Sequence, residues 1–403
     1  MTARDCALSA LVRIEREGAY SNLLLKNLPE MKLLKKKDKS FCVSLVYGVL
    51  ERKITLDYVI KKYSDIKLKK LTAIVLAGLR IGVYQLLYMD RVPESAAVDE
   101  SVGAVIRAGE PHAAGYVNAM LRAVINGRAA LSFPQDDSLY ALSVRYGVSP
   151  GLIEGFIKDY TLAETKRLLE SFFTPPRAEL RVNTIRNTAE ECLHRLKEEG
   201  VQAVRHPFLK NALTAEKSGG LTETACFKEG RFHMQGAASQ LCCAALSPKP
   251  DERLLDICAA PGGKTATTAE MMGDTGEIIA GELHAHRVKL IRELSERLGL
   301  HNITAKLNDA SVYDPVLGLF DRVLCDVPCS GLGVIAGKPE LRGKNPAEFF
   351  SLPDTQRKIL DTAARYVRAG GLLLYSTCTL RKAENEEVAE AFLSECGDFY
   401  PED

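Results

Sequence analysis

Leu254-Leu255-Asp256-Ile257-Cys258-Ala259-Ala260-Pro261-Gly262-Gly263-Lys264-Thr265 is the stretch of this 403-residue chain that decides its fold. An apolar run ends in an acidic residue, a tight proline–glycine turn follows, and the chain then resumes helical spacing. This predicts a strand over Arg253–Cys258 and a helix running through Met272. Glycines in such a turn let backbone approach a ligand and aim amide groups from the helix N-terminus. Further along, Glu277–Glu282 reads as a strand, His284–Leu298 as a helix, and Phe320–Cys325 as an almost wholly apolar strand. Asp354–Arg368 then reads as a helix and Gly371–Ser376 as another buried strand. Strands apolar on both faces and alternating with helices predict a doubly wound parallel sheet, a Rossmann-like α/β domain over residues 236–403. Ligand sites in such a sheet lie at the carboxyl ends of the strands.

Three ligands suit the 259–265 loop. A nucleoside triphosphate needs G-x-x-x-x-G-K-[ST]; Gly263-Lys264-Thr265 supplies the end, but the first glycine position is Cys258. A dinucleotide needs G-x-G-x-x-G, which is absent. S-adenosylmethionine carries no phosphate and needs no complete amide nest. Glu282, closing the next strand, is suited to accept hydrogen bonds from ribose hydroxyls, and Asp309 in Leu307-Asn308-Asp309-Ala310 is a weaker candidate for the adenine.

Two further motifs follow apolar strands: Asp326-Val327-Pro328-Cys329-Ser330-Gly331 and Tyr375-Ser376-Thr377-Cys378-Thr379. A single cysteine at such a position is more often a small buried residue than a nucleophile. Two at equivalent strand ends, one beside an acid and both near a cofactor loop, point to chemistry. Carbon-5 of cytosine is a poor nucleophile. Thiolate addition at carbon-6, with a proton given to ring nitrogen-3, makes carbon-5 enamine-like and able to take a methyl group. Loss of the carbon-5 proton then lets the thiolate leave. Asp326 suits the acid role, the two thiols divide the rest, and Lys264 is a candidate source of the positive charge a reactive thiol requires. From the residues alone the order of the two thiols stays open.

Residues 1–130 read as an all-helical bundle, with apolar residues at helical spacing such as Val75, Leu79, Val83 and Leu87. Residues 131–235 read as linker helices and a small α+β module. One helix is expected from Ser149-Pro150 towards Phe173, strands at Ala178–Val182, Val201–Arg205 and Ala212–Thr214, and a helix over Thr188–Glu199. The net charge of +1 conceals an asymmetry: residues 1–70 hold 16 Lys and Arg against 8 Asp and Glu, which suits a polyanionic partner. The longest apolar run, Leu71–Leu79, stops at Arg80, so no membrane helix is expected. No secretory signal is visible. The eleven cysteines contain no Cys-x-x-Cys pair, so neither a metal site nor a disulfide framework is expected, and a reducing cytoplasm fits.

At these motifs the chain resembles the RNA 5-methylcytosine methyltransferase family. Asp256–Thr265 resembles its cofactor motif; Asp326–Gly331 and Ser376–Thr379, with Glu384-Asn385-Glu386 behind, resemble its catalytic motifs. The match is nearest to the Sun/Fmu group of ribosomal RNA small-subunit methyltransferases, because the N-terminal bundle is similar to the NusB fold, with Asn118-Ala119-Met120-Leu121-Arg122 typical of it. Arg181-Val182-Asn183-Thr184 and Gln235–Gln240 match the module and the lead-in to the catalytic domain. The resemblance implies Cys378 as nucleophile, Cys329 as the residue assisting product release, and small-subunit ribosomal RNA as substrate, at the 967 site. It also implies a cofactor pocket of Cys258, Ala259, Ala260, Pro261, Gly262, Gly263, Lys264, Glu282, Arg287, Asp309 and Asp326. Two departures stand out. The family has an acid after the lead-in glutamine where this chain has Gly236, and it continues into a final antiparallel hairpin, whereas this chain stops at Asp403. An unpaired sheet edge with exposed apolar surface is therefore expected. The competing readings are a non-catalytic RNA-binding or antitermination factor and a P-loop ATPase.

Overall fold

A computed structural model describes residues 1–216 and 219–402. The expected succession of helical bundle, small sheet module and parallel α/β domain is what the chain forms. It is organised as two compact units: Met1–Pro175 with Val334–Glu348, and Pro176–Gly333 with Phe349–Asp403.

The first unit is all helical. Its central helix, Ala73–Tyr88, is apolar nearly all round, and Val75, Leu79 and Val83 are buried among Leu8, Leu45, Leu56, Val105 and Leu121 of the helices that wrap it. A helix apolar on every face must be enclosed by others, which explains its central position. The one helix expected from Pro150 towards Phe173 is two, Pro150–Asp159 and Leu162–Ser171. Thr161 starts the second with a capping box, its hydroxyl accepting from Glu164 N while the Glu164 carboxylate accepts from Thr161 N. A helix at Leu139–Tyr146, capped by Ser138, occupies what reads in sequence as linker. Among the described residues, no helix is long and apolar enough to cross a membrane.

Residues 334–348 belong to this helical unit although they follow the Cys329 motif. The segment is anchored by Arg342, fully buried, which donates to the carbonyls of Glu51 (3.1 Å), Tyr146 (3.3 Å) and Phe172 (2.5 Å) and lies over the Phe173 ring at 4.6 Å. Burial pulls the guanidinium down to about 10, so it stays charged at neutral pH.

The second unit holds two sheets. Strands β1 (Ala178–Val182), β2 (Ala203–Arg205), β3 (Ala212–Ala215) and β4 (Phe232–Met234) form an antiparallel sheet in the order β2-β3-β1-β4. β4 is too short to show an alternation in sequence. Leu180, Val182, Leu213 and Phe232 cover one face with the helix Ala189–Glu198. Strands β5 (Arg253–Asp256), β6 (Glu277–Glu282), β7 (Ile303–Leu307), β8 (Phe320–Asp326) and β9 (Val367–Ser376) form the parallel sheet β7-β6-β5-β8-β9. Chain order reverses between β5 and β8, so the ligand crevice of a doubly wound sheet falls there. The helix expected over Asp354–Arg368 ends at Ala364 instead, because Val367 already pairs with Phe320 across an irregularity in the register. Among the described residues β9 pairs with β8 alone; its other side, with Phe392 and Phe399, lines a groove of about 960 Å³.

A buried polar layer joins the two sheets of this unit. Arg181 of β1 pairs with Glu270 on the helix Gly263–Met271 (2.9 Å), and Thr267 of that helix donates to Gln235 (2.7 Å). Arg297 stacks on Phe227 at 3.8 Å and donates to the carbonyls of Phe227 and Phe232.

Replacing Arg342 by Met would leave the carbonyls of Glu51, Tyr146 and Phe172 without their charged donor. The expected loss is on the order of 3 kcal/mol from the helical unit, read as an earlier transition in urea denaturation followed by far-UV circular dichroism.

Candidate active site

The site is built at the carboxyl ends of β5, β6, β8 and β9. After β5 the chain turns through Ala259-Ala260-Pro261-Gly262 into the helix that begins at Gly263. Gly262 has φ +103°, and a Cβ there would come within 3.3 Å of the Ile291 backbone, so glycine is required on both counts. Ala259 N donates to Gly281 O of β6 (2.9 Å), fixing the loop on its neighbour strand.

Glu282, at the end of β6, is almost wholly buried and accepts from His284 N (3.0 Å) and Arg287 Nη1 (3.3 Å). Arg287 also reaches the Ala260 carbonyl (3.0 Å), tying Glu282 to the 259–263 loop. At the end of β7, Asn308 Nδ2 is buried with no partner, 3.4 Å from the point where a Cβ on Gly281 would sit. An orphaned donor beside a buried carboxylate is a setting made for a polar ligand. Asp309 stands apart, exposed, accepting from N and Oγ of Ser311 in its own turn (2.9 and 2.8 Å). Cys258 is largely enclosed, and burial together with Asp256 pushes its thiol well above the ordinary range.

Across the β5–β8 crevice, Lys264 Nζ binds Asp326 Oδ2 (2.7 Å), while Ser376 Oγ donates to Asp326 Oδ1 (2.7 Å). Asp326 and Ser376 are paired in the β8–β9 register, so these contacts follow from strand pairing. The Asp326 carboxylate raises the Lys264 ammonium above its usual range despite burial. That ammonium is directed at Asp326, and its charge also acts on the thiols of Cys242 and Cys243.

The two predicted cysteines meet. Cys329 Sγ and Cys378 Sγ are 3.1 Å apart, and Cys378 N donates to Cys329 Sγ (3.2 Å). Cys378 is exposed and Cys329 partly covered. The hydrogen bond to Cys378, reinforced by burial, pushes the Cys329 thiol far up. Gly333 N donates to Cys378 O (3.0 Å), and a Cβ on Gly333 would sit 2.8 Å from that oxygen, so only glycine permits the approach.

Glu384 holds both cysteine loops from below. Fully buried, its carboxylate accepts from Ser330 N (2.9 Å), Gln356 Nε2 (2.9 Å) and Arg381 Nη1 (2.9 Å), while its carbonyl accepts from Tyr375 OH (2.7 Å). Ser330 Oγ meets Thr379 Oγ1 at 2.6 Å, linking the loops directly. The sequence marks Ser376 and Glu384 as parts of motifs without giving either a task, and it does not point to Cys242 or Gln356. The signal in sequence is Glu384 itself, an acid six residues after Cys378.

The comparisons agree with this architecture. The chain matches the family model "16S rRNA methyltransferase RsmB/F" over residues 243–400, the NusB family over 1–126, and the RsmF/B-like ferredoxin-like domain over 151–222. It is 36% identical over 404 residues to a probable ribosomal RNA small subunit methyltransferase B of Bacillus subtilis, covering 100% of this chain and 90% of that protein. Against ribosomal RNA small subunit methyltransferase B of Proteus mirabilis it is 30% identical, covering 98% and 92%. Among solved structures it resembles PH0851, with a TM-score of 0.83 at 26% identity over 99% of this chain and 90% of that one. A methyltransferase homolog from Pyrococcus horikoshii gives 0.58 at 28% identity, over 64% and 83%.

Asp256 offers a test of the electrostatics beneath the loop. Its carboxyl is fully enclosed, accepts from Thr265 Oγ1 (2.6 Å), and is pushed by burial up to about 7. The unfolded chain releases this proton near pH 4, about three units earlier. The carboxyl therefore stabilises the fold fully below about pH 4, and that contribution falls by up to about 1.4 kcal/mol per unit as pH rises to about 7. Glu270, likewise pushed by burial to about 7, adds a slope of its own. Urea titrations between about pH 4 and pH 8 should thus show a shallower decline for Asp256→Asn than for the parent.

Proposed function

The chain belongs to the 16S rRNA methyltransferase RsmB/F family, and from that premise we propose that it methylates carbon-5 of a cytosine in small-subunit ribosomal RNA, at the 967 site, through a covalent cysteine–cytosine adduct. The observation carrying this reading is the pair of thiols 3.1 Å apart at the ends of adjacent parallel strands, beside the Lys264–Asp326 pair. A non-catalytic RNA-binding factor has no use for such a pair, and the incomplete glycine pattern at Cys258 weighs against a P-loop ATPase.

S-adenosylmethionine fits the residues present and supplies an electrophilic methyl group when bound. The Glu282 carboxylate suits its ribose hydroxyls, the unpartnered Asn308 Nδ2 and Asp309 suit the adenine edge, and the 258–264 loop with Arg287 forms the wall between them. The site's own residues do the rest. Cys378, the exposed member of the pair, is the sulfur open to the substrate and adds as thiolate to carbon-6. The Lys264–Asp326 pair holds a transferable proton between its two groups and supplies it towards ring nitrogen-3. With the carbon-5–carbon-6 double bond saturated, carbon-5 becomes nucleophilic and accepts the methyl group. The Lys264–Asp326 pair, having given up its proton, takes the carbon-5 proton. The double bond re-forms, the Cys378 sulfur leaves as thiolate with Cys329 alongside it at 3.1 Å assisting release, and ring nitrogen-3 returns its proton to solvent. Both ring carbons must be open to attack from above the ring, so the substrate cytosine is single-stranded or flipped out of its stack.

Purified protein given methyl-labelled S-adenosylmethionine and unmodified small-subunit RNA should label the RNA, and bisulfite sequencing should locate the 5-methylcytosine. No label on any such RNA would sink the reading. Cys329→Ala should accumulate a covalent protein–RNA adduct visible on a denaturing gel, whereas Cys378→Ala should give neither adduct nor product; the opposite pattern would exchange their roles. Glu384→Gln, which weakens the support of both loops, should lower kcat by on the order of 100-fold while the affinity for S-adenosylhomocysteine stays within about twofold.

A further inference from the structure

The small sheet buries only part of the face it turns towards the helix Gly263–Met271. By register, Glu179 and Arg181 of β1 share that face with Thr214 and Ala212 of β3, His233 of β4 and Val204 of β2. Arg181 and His233 are buried against Glu270, but towards the β2 edge the same face is open, with Val204 59% exposed. The hairpin joining β2 to β3 carries Phe208 at its tip, 87% exposed. It is an ordered tip: Phe208 N donates to His206 Nδ1 (3.3 Å), and the two rings meet edge to face with centroids 6.0 Å apart. From Gly200 to Ala215 the chain has two cations, Arg205 and Lys210, and no carboxylate. Arg205 is paired with Glu190, while Lys210 flanks the aromatic tip.

This hairpin is connected to the active centre through one carboxylate. Glu179 Oε1 lies 4.0 Å from His206 Nε2, and Glu179 Oε2 accepts from Ala237 N (2.6 Å) at the start of the helix Ala237–Leu246. Five residues along that helix, about 7.5 Å of axis, Cys242 lies beside Ser376, which donates to Asp326. Its neighbour Leu241 is 54% exposed.

We infer that the His206–Lys210 hairpin is a stacking platform for a nucleotide of the single-stranded RNA beside the target cytosine. The inference rests on the proposed function for its substrate class and adds the element that grips the flanking strand. A rigid, exposed aromatic ring with an adjacent lysine, on a hairpin that carries no acid of its own, matches how single-stranded nucleic acid is held: bases stack on the ring, and phosphates meet the cation. A protein partner would call for a contiguous apolar patch, which one ring on a hairpin tip does not provide.

The chain contains no tryptophan, so Phe208→Trp installs a unique fluorophore at the tip. Single-stranded RNA containing the target site should quench that indole, and short oligonucleotides lacking the flanks should not. In parallel, Phe208→Ala should raise KM for the long RNA by about tenfold and leave kcat at saturation, and KM for the short oligonucleotide, unchanged. Unquenched emission on RNA binding, or an equal KM penalty on long and short RNA, would overturn the proposal and return this surface to a protein partner. The readings separate cleanly. Quenching without methyl transfer keeps the platform and removes the proposed reaction, whereas transfer without quenching does the reverse.

Discussion

Parallel pairing of β8 with β9, in a register that sets Asp326 opposite Ser376, is the constraint on which the site depends. Once those residues are level, Cys329 and Cys378 follow three and two residues later, and their loops must turn over the same strip of sheet edge. A slip of one residue would reverse every side chain on the shifted strand and part the thiols. Register in this sheet is enforced by burial on both faces: Leu324 and Val323 of β8 are fully enclosed. At the strand ends, where pairing stops, Glu384 takes over, joining Ser330 of one loop to Arg381 beyond the other through a single buried carboxylate. Core packing therefore sets the coarse position of the sulfurs, and a few charge-assisted hydrogen bonds set the fine one.

The same low-dielectric surroundings sort the ionisable groups. Where a carboxylate has an ammonium and a hydroxyl, as Asp326 does, burial does not isolate it. Where desolvation outweighs partners, as at Asp256 and Glu270, the carboxyl holds its proton to about 7. His233, enclosed beside Arg181 and Arg297, is driven the other way, to about 3, and remains neutral. These opposite shifts have one origin: each group avoids carrying an uncompensated charge in the interior. The thiols divide along the same line. Cys325, wholly buried in β8, is pushed far up and is inert, while Cys378 stands exposed at the strand end.

What could be read in sequence were the features written in local pattern. The strands β6 and β8, the glycine turn after β5, and the strand-end positions of both cysteines follow from alternation and spacing, and the structure brings Cys329, Cys378, Lys264 and Asp326 to one sheet edge as that pattern implied. What could not be read depends on distant partners. Three-residue β4 exists because Arg181 and Val182 offer a strand to pair with. The split at Tyr160 depends on a capping box, which is local and was available in Thr161-x-x-Glu164. Arg342 and Gln356 look like ordinary surface residues in sequence, and only the segments folded over them make them interior.

Gly236 shows how a departure from pattern can be repaired at a distance. Gly236, after Gln235, is the N-cap of the helix Ala237–Leu246, a position where a side-chain acceptor is preferred. Glycine there offers none. The missing acceptor comes from another strand: Glu179 of β1 reaches Ala237 N at 2.6 Å, and its oxygen lies 3.5 Å from where a Cβ on Gly236 would begin. An acidic side chain at 236 would bring a second carboxylate against the first, so the two solutions exclude one another. The exchange has a further effect. A cap supplied by residue 236 would belong to the helix alone, whereas one supplied by Glu179 fastens the small sheet to the helix that bears Cys242, beside Ser376. Glycine at 236 thereby leaves the capping of this helix to a carboxylate of the small sheet.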